Sequence, residues 1–164
     1  MRNTVWAAGF ILSMGLFACN TQQNAGVAEP VSEPSIQPKA VTMKNLISIV
    51  EIPVSDFSRA VKFYEAVVGV SIQQMEMGEV TMGVLPSEEG TVNVVLAKGN
   101  DYKPTAHGAI LYLQAGEDLQ PMLDRVKQHG GQISVPKTQI SPEMGFFALF
   151  VDTEGNTLGL HSSK

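Results

Sequence analysis

From residue 44 the chain runs through one order of elements and then runs through it again. "KNLISIVEIPV" (44–54) alternates and is rich in β-branched residues, which predicts a strand. "SDFSRAVKFYEAVVG" (55–69) predicts a helix: Ser55 or Asp56 caps it, Phe57, Val61, Tyr64 and Val68 fall near helical spacing, and Gly69 stops it. "VSIQQMEM" (70–77), "EVTMGVL" (79–85) and "TVNVVLAK" (91–98) then predict three short strands, separated by Gly78 and by "PSEEG". The second pass starts with the strand "AILYLQ" (109–114) and the helix "EDLQPMLDRVKQHGG" (117–131). Leu119, Met122, Leu123 and Val126 form that helix's apolar stripe, with Pro121 in its first turn and Gly130 at its end. "QISVPKTQ" (132–139), "GFFALFV" (145–151) and "NTLGLHS" (156–162) are its three strands. A repeat of roughly 60 residues that carries one helix and four strands cannot close a core alone. Two such units predict an α+β fold: tandem βαβββ repeats in a curved eight-stranded mixed sheet, with helices outside and a concave inner face.

The segment before the repeat has another character. "MRNTVWAAGFILSMGLFAC" (1–19) places Arg2 ahead of an uncharged apolar run, Val5 to Phe17, which is short for a bilayer span. "LFAC" (16–19) resembles a bacterial lipobox. That resemblance implies a signal peptide at 1–18 and lipidation of Cys19, the single cysteine of the chain. Several acyl chains together anchor a protein stably where one does not. Asn20 stands where an inner-membrane retention signal has Asp, so the expected location is the outer membrane, facing the periplasm. Residues 19–42 hold the lipidated cysteine and a disordered tether, with Pro30, Pro34 and Pro38 among Gln, Asn, Ser and Glu. The globular domain is expected at 43–164. The net charge is −5 and no basic cluster occurs, which argues against nucleic acid as a partner.

Three stretches of the domain resemble the vicinal oxygen chelate superfamily, which includes glyoxalase I, bleomycin-resistance proteins and extradiol dioxygenases. They are "IPVSDFSRAVKFYEAVVGV" (52–70), "LDRVKQHGGQISVPKT" (123–138) and the closing "FVDTEGNTLGLHS" (150–162). The resemblance implies the glyoxalase-like fold over residues 44–163. It also implies a divalent metal on the concave face, held from the first strand of each unit and from the last strand. Carried over residue by residue, those positions are Ile49, Ile110 and Gly159. None of these side chains coordinates a metal, so no metal ligands and no cofactor are expected. The resemblance further implies pairing, so a homodimer is expected, with cavities completed between copies.

Strand residues two apart share a face. Glu51 and His161 therefore look into the concavity beside the vacated positions and are the candidate acid–base pair. A relocated metal on these two alone would lack ligands to set its geometry. Lys137 is a candidate contact for an anionic ligand at the mouth of the fold. Of the aromatic residues, Phe146, Phe147, Phe150 and Tyr112 belong mostly to the core, with Tyr112 and Phe147 expected to line a ligand pocket. His107 is expected to face away from the cavity, by parity with Ile110. His129 suits the C-terminal end of a helix dipole. Met75, Met77 and Met82 offer soft thioethers around one hairpin but are ordinary core fillers. Three functions follow in order of preference. The first is a metal-independent module that binds a small molecule. The second is a lyase- or isomerase-type enzyme using Glu51 and His161 or a relocated metal. The third is an envelope scaffold for protein interaction.

Overall fold

The computed structural model describes residues 45–164. The expected signal peptide, the lipidated Cys19 and the tether lie outside the described residues. Eight strands and two helices follow in the expected order. The first unit holds β1 (Ile49–Pro53), α1 (Phe57–Tyr64), β2 (Gln73–Met77), β3 (Val80–Val84) and β4 (Asn93–Lys98). The second holds β5 (Leu111–Gln114), α2 (Gln120–Gln128), β6 (Gln132–Ser141), β7 (Gly145–Val151) and β8 (Thr157–Ser162).

The two units have the same topology. In each, the first strand pairs parallel with the fourth, and the remaining pairs are antiparallel: β1-β4-β3-β2 and β5-β8-β7-β6. The α+β class and the tandem repeat stand as expected. The strands, however, form two four-stranded sheets instead of one hydrogen-bonded sheet of eight. β1 and β5 each keep one edge unpaired. Residues 105–110 of the β4–β5 connection line a cleft along the free edge of β1, where a joining strand would have to lie.

Each helix carries its own termination and packing logic. The Asp56 side chain accepts from the Arg59 amide at 3.0 Å and caps α1. Phe57, Ala60, Val61 and Tyr64 bury one face of it. A π-helical turn, Glu65–Gly69, continues the helix, and Glu65 Oε1 accepts the Ile72 amide at 2.9 Å beyond it. At the start of α2 the Leu119 side chain cannot cap; the Gln120 amide donates to Asp118 Oδ1 at 2.9 Å and the Leu119 amide to Ser162 Oγ on β8 at 3.0 Å. The paired glycines after α2 have different jobs. Gly130 turns the chain at φ +94°, while at Gly131 a side chain would collide with Val126 and Phe63.

One core joins the two units. Ile52, Leu96, Leu113, Phe150, Leu158 and Leu160 face the helices and are buried with them. The Phe63 ring of α1 meets Phe150 of β7 at 6.3 Å between centroids, so the first unit's helix packs on the second unit's sheet. The opposite face of both sheets is open. Ile49, Met75, Met77, Ile110, Tyr112 and Met144 are all at least 40% exposed. That open face is where the candidate site residues were expected.

Candidate ligand site on the open face of the second sheet

β5 and β8 run parallel with Tyr112 opposite Gly159, and β7 and β8 run antiparallel with Phe147 opposite His161. Alternation puts these four residues on the open face, while Leu113, Leu158 and Leu160 enter the core. Gly159 lacks a side chain, and the Tyr112 ring lies directly over it: a Cβ built there would overlap that ring. Tyr112 and Phe147 meet edge to face at 6.4 Å between centroids. With Ile140, Met144 and His161 they line an open pocket of about 340 Å³. Its lining is apolar except for the imidazole and the phenol.

His161 is held in place. Its Nε2 lies 2.7 Å from the Met144 carbonyl oxygen. A carbonyl only accepts, so Nε2 carries the proton and Nδ1 is the nitrogen left for a ligand. The histidine is thereby a pocket wall with one free acceptor. Ile140 and Met144 were not expected here. Ile140 lies near the end of β6, one residue past the expected strand, and Met144 in the turn to β7, where the pattern offers no cue that the chain returns toward β8.

The other expected residues go elsewhere. Glu51 and His161 do not form a pair. Glu51 faces a separate cleft between the two sheets and accepts the Tyr102 hydroxyl at 2.9 Å. The separation follows from the split sheet, because β1 and β8 belong to different sheets. Lys137 lines neither cavity. Irregular register along β6 around Val135 and Thr138 turns it to the helix side. There its ammonium meets Asp118 Oδ1 at 2.7 Å and stands 4.9 Å from the Phe146 ring centroid. The Asp118 carboxyl falls below its usual pKa through the Lys137 hydrogen bond and then the Gln120 amide. His107 lines the inter-sheet cleft instead of facing away, because Gly108, at φ +130°, breaks the strand parity assumed for it. Phe150 is core and Phe146 packs against the core, as expected. His129 is exposed at the end of α2. Met75 and Met82 lie opposite each other across β2 and β3.

The positions carried over for a metal do not fit one. Ile49 and Ile110 are exposed hydrocarbon, and the space over Gly159 is taken by the Tyr112 ring. Among the described residues no group of three His, Cys, Asp or Glu side chains is placed to hold an ion.

The closing "DTEGN" turn (152–156), which carries much of the sequence signature, is built into the framework. Asp152 Oδ1 accepts the amides of Glu154 at 2.9 Å and Asn156 at 2.8 Å. Its Oδ2 accepts the Tyr64 hydroxyl at 2.7 Å and the Asn156 side-chain amide at 3.0 Å. The same amide also donates to the Pro53 carbonyl at 2.9 Å, and Asn156 Oδ1 accepts the Thr105 amide at 3.0 Å. Burial first, and then the Asp152 charge, push the Tyr64 hydroxyl well above the usual phenol pKa. Glu154, whose side chain has no exposed surface, accepts from the Ser55 and Asp56 amides, each at 2.9 Å, and from Arg59 Nε at 2.8 Å. Burial alone would raise the Glu154 carboxyl. The Arg59 hydrogen bond, with those from Asp56 and Ser55, outweighs it and brings the pKa to about 2.

Comparison with known proteins agrees with this architecture. Residues 46–160 match the family model described as the glyoxalase/bleomycin resistance protein/dioxygenase superfamily. A glyoxylase-like domain-containing protein of Didymella fabae is 30% identical over 120 residues, 68% of this chain and 88% of the relative. Among solved structures, TnmS3, an antibiotic binding protein from Streptomyces sp. CB03234, superposes with TM-score 0.59 at 22% identity, over 76% of this chain and all of its own. UcmS2 superposes with TM-score 0.57 at 27% identity, over 74% of this chain and all of its own. Glyoxalase I from Zea mays gives 0.58 at 17% identity, over 71% of this chain and 44% of the maize enzyme.

Proposed function

Since the chain belongs to the glyoxalase/bleomycin resistance protein/dioxygenase superfamily, we propose that it is a metal-independent small-molecule-binding member, lipid-anchored at Cys19 and facing the periplasm. The observation that carries this reading is the Tyr112 ring seated over Gly159. An aromatic wall stands where the superfamily resemblance puts the last-strand metal ligand. The open pocket beside it is a place for a flat ring system, with two aromatic faces, a methionine thioether and an imidazole. TnmS3, of similar fold, bears the name of an antibiotic binding protein, and the reading extends that kind of role to this chain.

A second copy of the chain is the proposed partner on the open face. The exposed residues of both sheets lie on that face, and a two-fold pairing would set the first sheet of one copy over the second sheet of the other. Such a pairing would cover Met75, Met77 and Tyr112 and enclose the ring pocket.

The first experiment is elemental analysis of residues 40–164 before and after exposure to zinc, nickel, manganese and iron salts. Absence of stoichiometric metal, followed by saturable calorimetric binding of 2-naphthol that Tyr112→Ala and Phe147→Ala abolish, is the expected result. A tightly held metal that disappears in His161→Ala would overturn it.

A further inference from the structure

The inter-sheet cleft has chemistry that the ring pocket lacks. It measures about 320 Å³ and shares no residue with the pocket around Tyr112. One side is the free edge of β1, and the other is the end of the β4–β5 connection with the start of β5. Ile47, Ile110 and Leu111 make its walls apolar, while Ile52 and Leu158 border it from the buried core. Glu51 and His107 are the titratable groups in the lining, which contains no lysine or arginine.

Glu51 is positioned yet only half used. Oε2 accepts the Tyr102 hydroxyl at 2.9 Å, while among the described residues Oε1 has no hydrogen-bond partner and the carboxylate no ion-pair partner. The hydrogen bond to Glu51, more than any other influence, raises the Tyr102 pKa, so the phenol remains a donor and keeps the carboxylate oriented. An oriented carboxylate with a free oxygen, at the mouth of an apolar cleft without competing cations, favours a positively charged head on an apolar body.

We propose that this cleft is a second binding site, selective for small amphipathic amines, with Glu51 as the residue that recognises the ammonium group. The ammonium has three donors. One goes to Glu51 Oε1, and the other two stay hydrated. The apolar body lies between the exposed side chains of Ile47 and Ile110. A neutral analogue gives up the charge-assisted bond, and a carboxylate analogue is repelled. The inference does not depend on the ring pocket being a ligand site.

The test uses the full chain, ¹⁵N-labelled, in non-ionic detergent, titrated with 3-phenylpropylamine, 3-phenylpropanol and 3-phenylpropionate. The amine should give saturable amide shifts at Ile52 and Ile110, with the alcohol weaker by about tenfold and the acid inert. Glu51→Gln should erase the preference for the amine. Tyr102→Phe, which keeps the charge, and Tyr112→Ala, which alters only the other pocket, should both preserve it. The proposal is overturned if the amine shifts none of these amides. It fails equally if the three compounds bind alike, if shifts gather around Tyr112 instead, or if folded Glu51→Gln still prefers the amine.

Discussion

The ring of Tyr112 rests on the backbone of Gly159, one strand over, in the space that a side chain at position 159 would need. The two residues are therefore one feature: the glycine is small because the tyrosine lies down on it. Gly159→Ala should push the ring off the strand and cost about 1–3 kcal/mol, as overpacking does. In a Tyr112→Ala background the same substitution should cost much less. Urea denaturation of the four proteins in this cycle measures the coupling, and additive losses would separate the two residues.

Glu154 makes a pH prediction. Its folded pKa of about 2 lies below the unfolded reference of 4.5. The stability it contributes is therefore present above pH 4.5 and is lost as pH falls through 2. Discounted for screening through the half-exposed Arg59, the contribution is on the order of 1–2 kcal/mol at neutral pH. Glu154→Gln should lose most of that at pH 7 and show a flatter stability profile between pH 5 and 2. Denaturation midpoints across that range decide it, and parallel profiles for the two proteins would refute it.

Tyr64 and Asp152 should be asymmetric in their mutational cost. Tyr64→Phe removes one donor to a buried carboxylate that keeps three others, so a loss of about 1–2 kcal/mol is expected. Asp152→Ala strands several donors together and should cost more than about 3 kcal/mol. Thermal melts with circular dichroism would rank them; equal losses would mean that the network is not centred on Asp152.

Lys137→Met should leave ring-compound binding unchanged and shift stability by less than about 1 kcal/mol, because its ion pair with Asp118 is partly exposed. Calorimetry with 2-naphthol checks the first half and urea melts the second. A large loss of affinity would return Lys137 to the ligand pocket.

Expressed in a bacterium, the full chain should incorporate radiolabelled palmitate and partition with membranes, and Cys19→Ser should do neither. A Cys19→Ser protein that still labels would remove the anchor from that residue.

The repeat was legible because each strand run and each helix stripe is short, periodic and bounded by turn residues. β7 fits its expected span throughout, since "GFFALFV" lies between a turn glycine and an aspartate. The division into two sheets was not legible, because alternation reports which face a residue takes and not which edges meet. For the same reason Glu51 and His161, each on the expected face, fall in different cavities. Tyr112 and Phe147, named as pocket candidates for being aromatic, meet edge to face on the open face of the second sheet. Met144 and Tyr102 were missed because both belong to connections, where no periodicity says which way a side chain returns. Lys137 was misplaced by the irregular pairing of β6, a backbone event with no marker in "VPKTQ".

The bonds from Glu154 to Ser55, Asp56 and Arg59 have a consequence in time. They join positions about a hundred residues apart, so the start of the first helix is completed by a turn synthesised about a hundred residues later. Contacts at that separation make folding slow relative to helix formation. A chain emerging from a ribosome or crossing a membrane in extended form would wait, its first half unfinished, until the C-terminal hairpin arrived. Truncation just before Asp152 should therefore leave the N-terminal repeat open to proteases, though every residue of that repeat is still present.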